Sequence, residues 1–189
     1  MALSMIATSP PGGHFADAVL SLLPDGGYDL AVGTAEFGNG TTTVHRQIAS
    51  GALGTTAERI TVRQSDTDVV RHDTGAFGST GTVVAGKAVL RAGTALAALL
   101  LDFAAEYSGA DRRECRLEAD AVRCAGRRLA LRDLHPAMLA AGREVSAAGH
   151  WGGTRARWPS TPSGSGSRST RPAASCGSCA ASTPPTPGR

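Results

Sequence analysis

The chain has 189 residues, 41% of them hydrophobic, enough for one or two small cored domains. Aromatic residues make up only 4%, so any core is assembled mainly from Ala, Val and Leu. The formal net charge of +3 is spread along the chain with no basic stripe, which excludes a nucleic-acid footprint.

The first predicted element is a strand from Phe15 to Leu22, alternating around Ala18, Leu20 and Leu22. The turn Pro24-Asp25-Gly26-Gly27 leads into a second strand, Tyr28 to Val32, making a hairpin. A glycine-rich loop, Gly33 to Gly40, then opens a helix whose apolar face is read from Val44, Ile48 and Ala52, with Gly54 as its stop. Ile60 to Gln64 is a short β-branched strand. The loop Ser65 to Ser79 is long, and long ordered loops in compact domains are often functional. A long helix is predicted from about Thr80 to Tyr107, capped by Gly109. A small hairpin (Cys115 to Val122, then Arg128 to Leu131) and a short helix from Leu134 to Ala141 follow. The fold class expected from this order is α+β, with helices stacked on one face of a mixed sheet.

The composition breaks near Thr154. Residues 1–154 form the expected domain, and 155–189 are rich in Ser, Pro, Thr, Gly and Arg with almost no aliphatic residues. Such a tail is expected to be disordered, because it cannot bury enough apolar surface to offset its ordering entropy. The longest apolar run, around Ala95 to Leu101, is too short to span a bilayer. The N-terminus lacks the basic start and apolar core of a secretory signal, so a cytoplasmic protein is expected. Cys115 and Cys124 are accordingly read as reduced thiols. Cys176 and Cys179 form a C-x-x-C with no second ligand pair, so zinc is not expected there.

Two loops carry the functional signal. The first reads Gly33-Thr34-Ala35-Glu36-Phe37-Gly38-Asn39-Gly40-Thr41 and the second Gly75-Ala76-Phe77-Gly78-Ser79-Thr80, and each precedes a helix. Glycines allow close backbone approach to a ligand, and free N–H groups at a helix start favour an anion. A phosphate or a pterin edge suits this chemistry. The bland alternative is a pair of tight turns, with Asn39 or Thr41 capping one helix and Ser79 or Thr80 the other. Neither loop is a P-loop or a dinucleotide fingerprint, since Gly-Lys-Ser/Thr and G-x-G-x-x-G are absent.

Other residues are weaker candidates. Asp66 and Asp68 read as an exposed acidic turn before they read as a cation site. His45 is placed on the polar, solvent-facing side of the first helix. His72 and Asp73 resemble a base and its orienter, but adjacent side chains seldom point together and no nucleophile is in place.

The stretches GTAEFGNGTTT (Gly33 to Thr43), QSDTD (Gln64 to Asp68) and DTGAFGSTGT (Asp73 to Thr82), in this order, resemble the molybdopterin-binding subunit of the xanthine dehydrogenase/aldehyde oxidase family. The opening S-P-P-G-G-H and the segment Gly149 to Thr154 are similar as well, so the resemblance covers about Ser4 to Thr154. It implies a molybdenum ion held by a pterin dithiolene, with the cytosine dinucleotide as one candidate form. It also implies hydroxylation of an aldehyde or N-heterocycle with water as oxygen source and a glutamate as general base. Electrons would leave through iron–sulfur clusters and FAD on partner subunits. Carried over by position, the cofactor-binding residues are Gly33, Thr34, Phe37, Gly38, Asn39, Gly40 and Thr41 of the first loop. Those of the second are Gly75, Ala76, Phe77, Gly78, Ser79 and Thr80, with Phe77, Gly78 and Ser79 nearest the metal. Asn39 stands where the family usually has Gln. No catalytic residue and no direct metal ligand is assigned: the family's glutamate lies in a later glycine-rich segment, and Glu36 does not replace it.

The sequence is therefore expected to be a piece of the cofactor-binding subunit, inactive alone. The tail has a reading of its own. With Ser codons TCN and Arg codons CGN, starting each codon one base earlier from Arg155 permits P-R-S-V-A-F-N, then G-F-R-V-A-V-D-P, which alternate like strands. A frameshift after Thr154 is the expectation, against a genuine Ser/Pro-rich linker. Two other functions stay open: a non-redox module for a phosphate-bearing ligand, and a structural remnant without activity.

Overall fold

The computed structural model describes residues 13–73, 75–76 and 78–152. The expectations for Phe77 and for the tail 155–189 lie outside the described residues.

Strands β1 (Phe15–Leu22) and β2 (Tyr28–Val32) form the expected antiparallel hairpin, with Leu20 opposite Leu30. Every second residue of β1 (Ala16, Ala18, Leu20, Leu22) is buried, as the period of two requires. The turn closes through Gly26 N–H to the Leu23 carbonyl and Gly27 N–H to Asp25 Oδ1. Strand β3 (Ile60–Gln64) adds in parallel beside β2, which makes β2 central and buries all of it. On the far face of β2, Asp29 accepts from Arg63 Nε and Nη2, the latter at 2.6 Å.

A last strand, β7 (Ser146–Gly152), pairs antiparallel with β1 and completes a four-stranded mixed sheet of order β3-β2-β1-β7. The sequence reading assigned no strand there. Ser-Ala-Ala-Gly-His-Trp-Gly has no β-branched residue, so its strand character comes from its partner and not from local propensity.

Helices α1 (Thr41–Leu53) and α2 (Gly86–Ser108) stack on one face of the sheet, as expected for the α+β class. A π turn, Gly81–Ala85, precedes α2. Small residues let the layers approach closely. A Cβ on Gly86 would lie 2.8 Å from Ile48 Cδ1, and one on Gly93 2.7 Å from Ala52 Cβ. A Cβ on Gly149 would lie 2.1 Å from the Ala88 carbonyl oxygen, so the backbone of α2 rests directly on β7. Leu20, Leu30, Val89, Leu96 and Leu100 fill the interface and are fully buried. Burial of each such side chain contributes on the order of 1.5–3 kcal/mol.

The continuous helix Gly81–Ser108 is long and apolar enough to cross a membrane, with mean hydropathy 1.6 over its best window, but 50% of that window is buried in the fold. A count of unbroken apolar residues missed this, because Gly, Thr, Lys87 and Arg91 interrupt the run without making the helix polar as a whole.

A separate three-stranded meander follows: β4 (Cys115–Leu117), β5 (Ala121–Cys124) and β6 (Arg127–Ala130). The expected two-stranded hairpin is corrected here. Glu118 N–H reaches the Ala121 carbonyl at 2.8 Å and folds the anticipated first strand into two. Cys115 and Cys124 fall directly opposite each other and are joined as a disulfide, which corrects the reading of both as reduced thiols. Helix α3 (Leu131–Ala140) begins three residues earlier than the expected Leu134, burying Leu131, Leu134 and Met138.

Candidate functional site

The parallel pairing of β2 and β3 delivers the segments after both strands to the same end of the sheet, since Val32 lies beside Gln64. There the two glycine loops meet. Thr34 Oγ1 donates to Asp73 Oδ2 at 2.7 Å, and Asp73 Oδ1 accepts from Gly75 N–H at 2.8 Å. A Cβ on Gly33 would sit 2.7 Å from Asp73 Cβ, so only glycine lets the two segments touch. Gly81, at the start of the second helical segment, faces Thr41 Cγ2 and Thr34 Cγ2.

His45 ties the helices together from below. Its Nε2 lies 2.8 Å from the Gly81 carbonyl, and the side chain is fully buried. This overturns the solvent-facing placement. The buried stripe of α1 is Thr41, His45, Ala49 and Leu53, one position on from the expected Val44, Ile48 and Ala52, which lie at its margin. Burial lowers the His45 pKa, opposed by the bond to Gly81 and by the charges of Asp73 and Glu36. The neutral ring, with Nε2 protonated, donates to the carbonyl.

The first loop differs from the expectation in its chemistry. The amides at the start of α1 are not free for a ligand anion. Glu36 Oε1 accepts from Gly38 N–H at 2.6 Å and Gly40 N–H at 3.1 Å, and Oε2 accepts from Thr42 N–H at 3.0 Å and Thr41 Oγ1 at 3.2 Å. These bonds, that of Thr42 first, hold the Glu36 carboxyl down to about 2, against the cost of its desolvation. The loop carries its own anion. Gly38 (φ 96°) and Gly40 (φ 79°) turn their N–H groups inward toward it, in a conformation that favours glycine. Gly40 is the N-cap position of α1, and Asn39 Oδ1 accepts from Thr41 Oγ1 at 3.1 Å.

In the second loop, Gly75, Gly78 and also Ser79 have positive φ, and the Thr80 hydroxyl donates to the Gly75 carbonyl. The loop runs straight into the π turn, a deformation frequent at functional sites. The structure thus brings the two predicted loops together but sorts their residues. Thr34, Thr41 and Thr80 are buried struts, and Gly33 and Gly75 are half-buried. Phe37 (64% exposed), Gly38, Asn39, Gly40, Ala76, Gly78 and Ser79 face outward.

Beside the junction lies a pocket of about 320 Å³ lined by Gly33, Ser65, Asp66, Thr67, His72 and Asp73, among others. Only Gly33 of these was in the predicted set. Gln64 was missed too, although its QSDTD motif was noticed. Its Oε1 accepts from Thr42 Oγ1 at 2.8 Å, while its Nε2 is buried with no hydrogen-bond partner among the described residues. His72 and Asp73 diverge as expected for neighbours: His72 stacks on Phe15 at 3.8 Å, and Asp73 turns to Thr34. Asp66 Oδ1 accepts from Asp68 N–H within its own turn. Among the described residues, no group of three or more His, Cys, Asp or Glu is placed to hold a metal ion.

The family model of the molybdopterin cofactor-binding domain matches residues 1–182. The chain belongs to this family. As a molybdopterin cofactor-binding domain it is similar in fold to quinoline 2-oxidoreductase from Pseudomonas putida 86, with a TM-score of 0.65 and 19% identity over 76% of the chain. It is likewise similar to the CO dehydrogenase of Oligotropha carboxidovorans, with a TM-score of 0.65 and 23% identity over 74% of the chain. The chain spans 20% of the first and 18% of the second, about a fifth of their length. The family match continues past Thr154 into the segment read as out of frame.

The residues of this molybdopterin cofactor-binding domain fit a pterin held by hydrogen bonds. Asn39 and Ser79 are exposed on the two loops, Gln64 keeps a buried amide nitrogen without a hydrogen-bond partner among the described residues, and the pocket at the junction has room for a ring edge or a phosphate. Glu36 fills the remaining donor cluster, so the group would be held beside the first loop and not inside it.

Proposed function

We propose that this domain is a piece of the cofactor-binding subunit of a molybdenum hydroxylase. The observation that carries the reading is the junction of the two loops through Thr34 and Asp73, beside a pocket lined by Gly33, Ser65, Asp66, Thr67, His72 and Asp73 among others. When bound, a molybdenum–pterin group supplies the redox chemistry, hydroxylation of an aldehyde or N-heterocycle with water as oxygen source. The protein's share is placement. Asn39, Ser79 and Gln64 would supply polar groups to that group, and the Thr34–Asp73 bond keeps both loops in register. The cytosine dinucleotide form is one candidate. Iron–sulfur and FAD subunits are the proposed electron-transfer partners, together with the rest of the molybdenum subunit, in the cytoplasm.

The chain is proposed to be inactive alone. A non-redox phosphate module is disfavoured at this site by Glu36, which occupies the amides that would bind the phosphate. Molybdenum and oxidised-pterin fluorescence measured on the chain purified alone, and co-expressed with the products of neighbouring genes, test the reading. Metal and pterin are expected only in the co-expressed assembly, and absence from both preparations sinks the proposal.

A frameshift after Thr154 remains our proposal for the tail. The DNA decides it: an early stop, or no alternating aliphatic pattern, in the frame starting one base earlier ends the idea.

A further inference from the structure

The opposite end of β2 holds a second pocket. It has a volume of about 280 Å³ and is lined by Asp25, Arg59, Asp120, Arg128, Ala130 and Arg132. Five residues of β2 separate it from the loop junction, roughly 17 Å at the rise of a strand.

Five parts of the chain converge there: the β1–β2 turn, the 3-10 turn Ala57–Arg59, the β4–β5 turn, β6 and the start of α3. Gly26 makes the convergence possible, since a Cβ at this position would stand 3.1 Å from Arg132 N and 3.3 Å from Arg59 Nη2. Three guanidinium groups and two carboxylates line it, and a third carboxylate, Asp133, stands beside Arg132. The carboxylates are already engaged. Asp120 Oδ2 accepts from Arg128 Nη2 at 2.5 Å, and Asp25 Oδ1 accepts from Gly27 N–H at 2.8 Å. The hydrogen bond from Arg128, with the charges of Arg128 and Arg59, holds the Asp120 carboxyl below its usual range, so it stays ionised.

The donors are less satisfied than the acceptors. Arg59 Nη2 donates to the Gly26 carbonyl at 2.6 Å, but its Nε is buried with no hydrogen-bond partner among the described residues. Arg132 is 72% exposed, and its ion pair with the adjacent Asp133 is long at 3.8 Å. Helix α3 starts at this pocket on Ala130; its first amide, Leu131 N–H, is held by the Asp120 carbonyl at 2.9 Å, and no side chain caps the start. A buried donor without an acceptor is costly, and guanidinium groups beside an uncapped helix start match a multi-oxygen anion.

We propose that this pocket binds a phosphate-class oxyanion, either free phosphate or the phosphate of a small metabolite. Phosphate suits it better than carboxylate, because its tetrahedral set of oxygens can accept from more than one of the guanidinium groups that line the pocket.

The test uses the full chain, titrated with inorganic phosphate, pyrophosphate or acetate at constant ionic strength and followed by calorimetry and thermal unfolding. Saturable binding of inorganic phosphate is expected, about tenfold tighter than that of acetate. Pyrophosphate binding tighter than inorganic phosphate would point to a diphosphate-bearing metabolite, and weaker binding to a single phosphate. Arg132→Gln and Arg128→Gln lie on the surface and leave the core intact, and each is expected to weaken phosphate several-fold. Absence of phosphate binding, equal binding of acetate, or phosphate binding unchanged in both variants would overturn the proposal.

Discussion

Thr34 and Asp73, 39 residues apart in sequence, share a 2.7 Å hydrogen bond that joins the two glycine loops. Thr34 is 1% exposed, so its hydroxyl has no water to fall back on. Thr34→Val keeps the shape and removes the donor, leaving Asp73 with the Gly75 amide alone. A loss of about 1–3 kcal/mol is expected. Urea unfolding of Thr34→Val, Asp73→Asn and the double variant checks it, and the two single losses should not add.

Glu36 makes the first loop sensitive to acid. Its folded pKa of about 2 lies below the 4.5 of a free glutamate. The unfolded state therefore binds more protons between these values, and stability rises with pH across that window. The contribution is complete above about pH 4.5 and is lost as pH falls toward 2. Other carboxylates titrate there too, so the readout is the difference between wild type and Glu36→Gln. That gap in urea midpoint should be widest near pH 6 and shrink as pH falls. A constant gap from pH 6 to 2 would contradict the capping role.

His45 gives a second, separate pH window. Burial depresses its folded pKa below the usual 6.5, so the neutral ring stabilises the fold above that value and the stabilisation is lost as pH drops below it. His45→Leu should flatten stability over that range. It should also cost about 1–3 kcal/mol at pH 8, because the Gly81 carbonyl loses its donor. Two-dimensional NMR of the ring protons should show His45 titrating below 6.5.

Much of the architecture was legible in the sequence, for reasons visible in particular residues. The alternation from Ala16 to Leu22 and the Asp25-Gly26-Gly27 turn define the first hairpin almost without tertiary help. The two glycine loops were legible as openings of helices, and their meeting through Thr34 and Asp73 is visible only in the fold. Three further features were not legible. Strand β7 depends on the neighbouring strand, since its Ser, Ala and Gly residues carry little strand preference of their own. The burial of His45 depends on a carbonyl 36 residues away, which turns a polar side chain into a core one. Glu36 looked like one more polar loop residue, yet its carboxylate fits the ring of amides formed when Gly38 and Gly40 take positive φ. No periodicity reports such closures; they become visible only when the backbone is folded.

The last prediction sets two glycines against each other. Gly40 needs its positive φ of 79° but has open space around a would-be Cβ. Gly40→Ala should therefore cost only the left-handed backbone penalty, about 1–2 kcal/mol. Gly149 is the opposite case: a Cβ there would lie 2.1 Å from Ala88 O and 2.4 Å from Ala92 N. Both atoms belong to the backbone of α2, so no side chain can swing aside, and the helix must lift off β7. Overpacking of this kind costs about 3 kcal/mol or more, and the lift would also loosen the neighbouring Leu96 layer. Thermal unfolding should rank Gly149→Ala well below Gly40→Ala, and equal midpoints would mean that α2 does not rest on β7 as described.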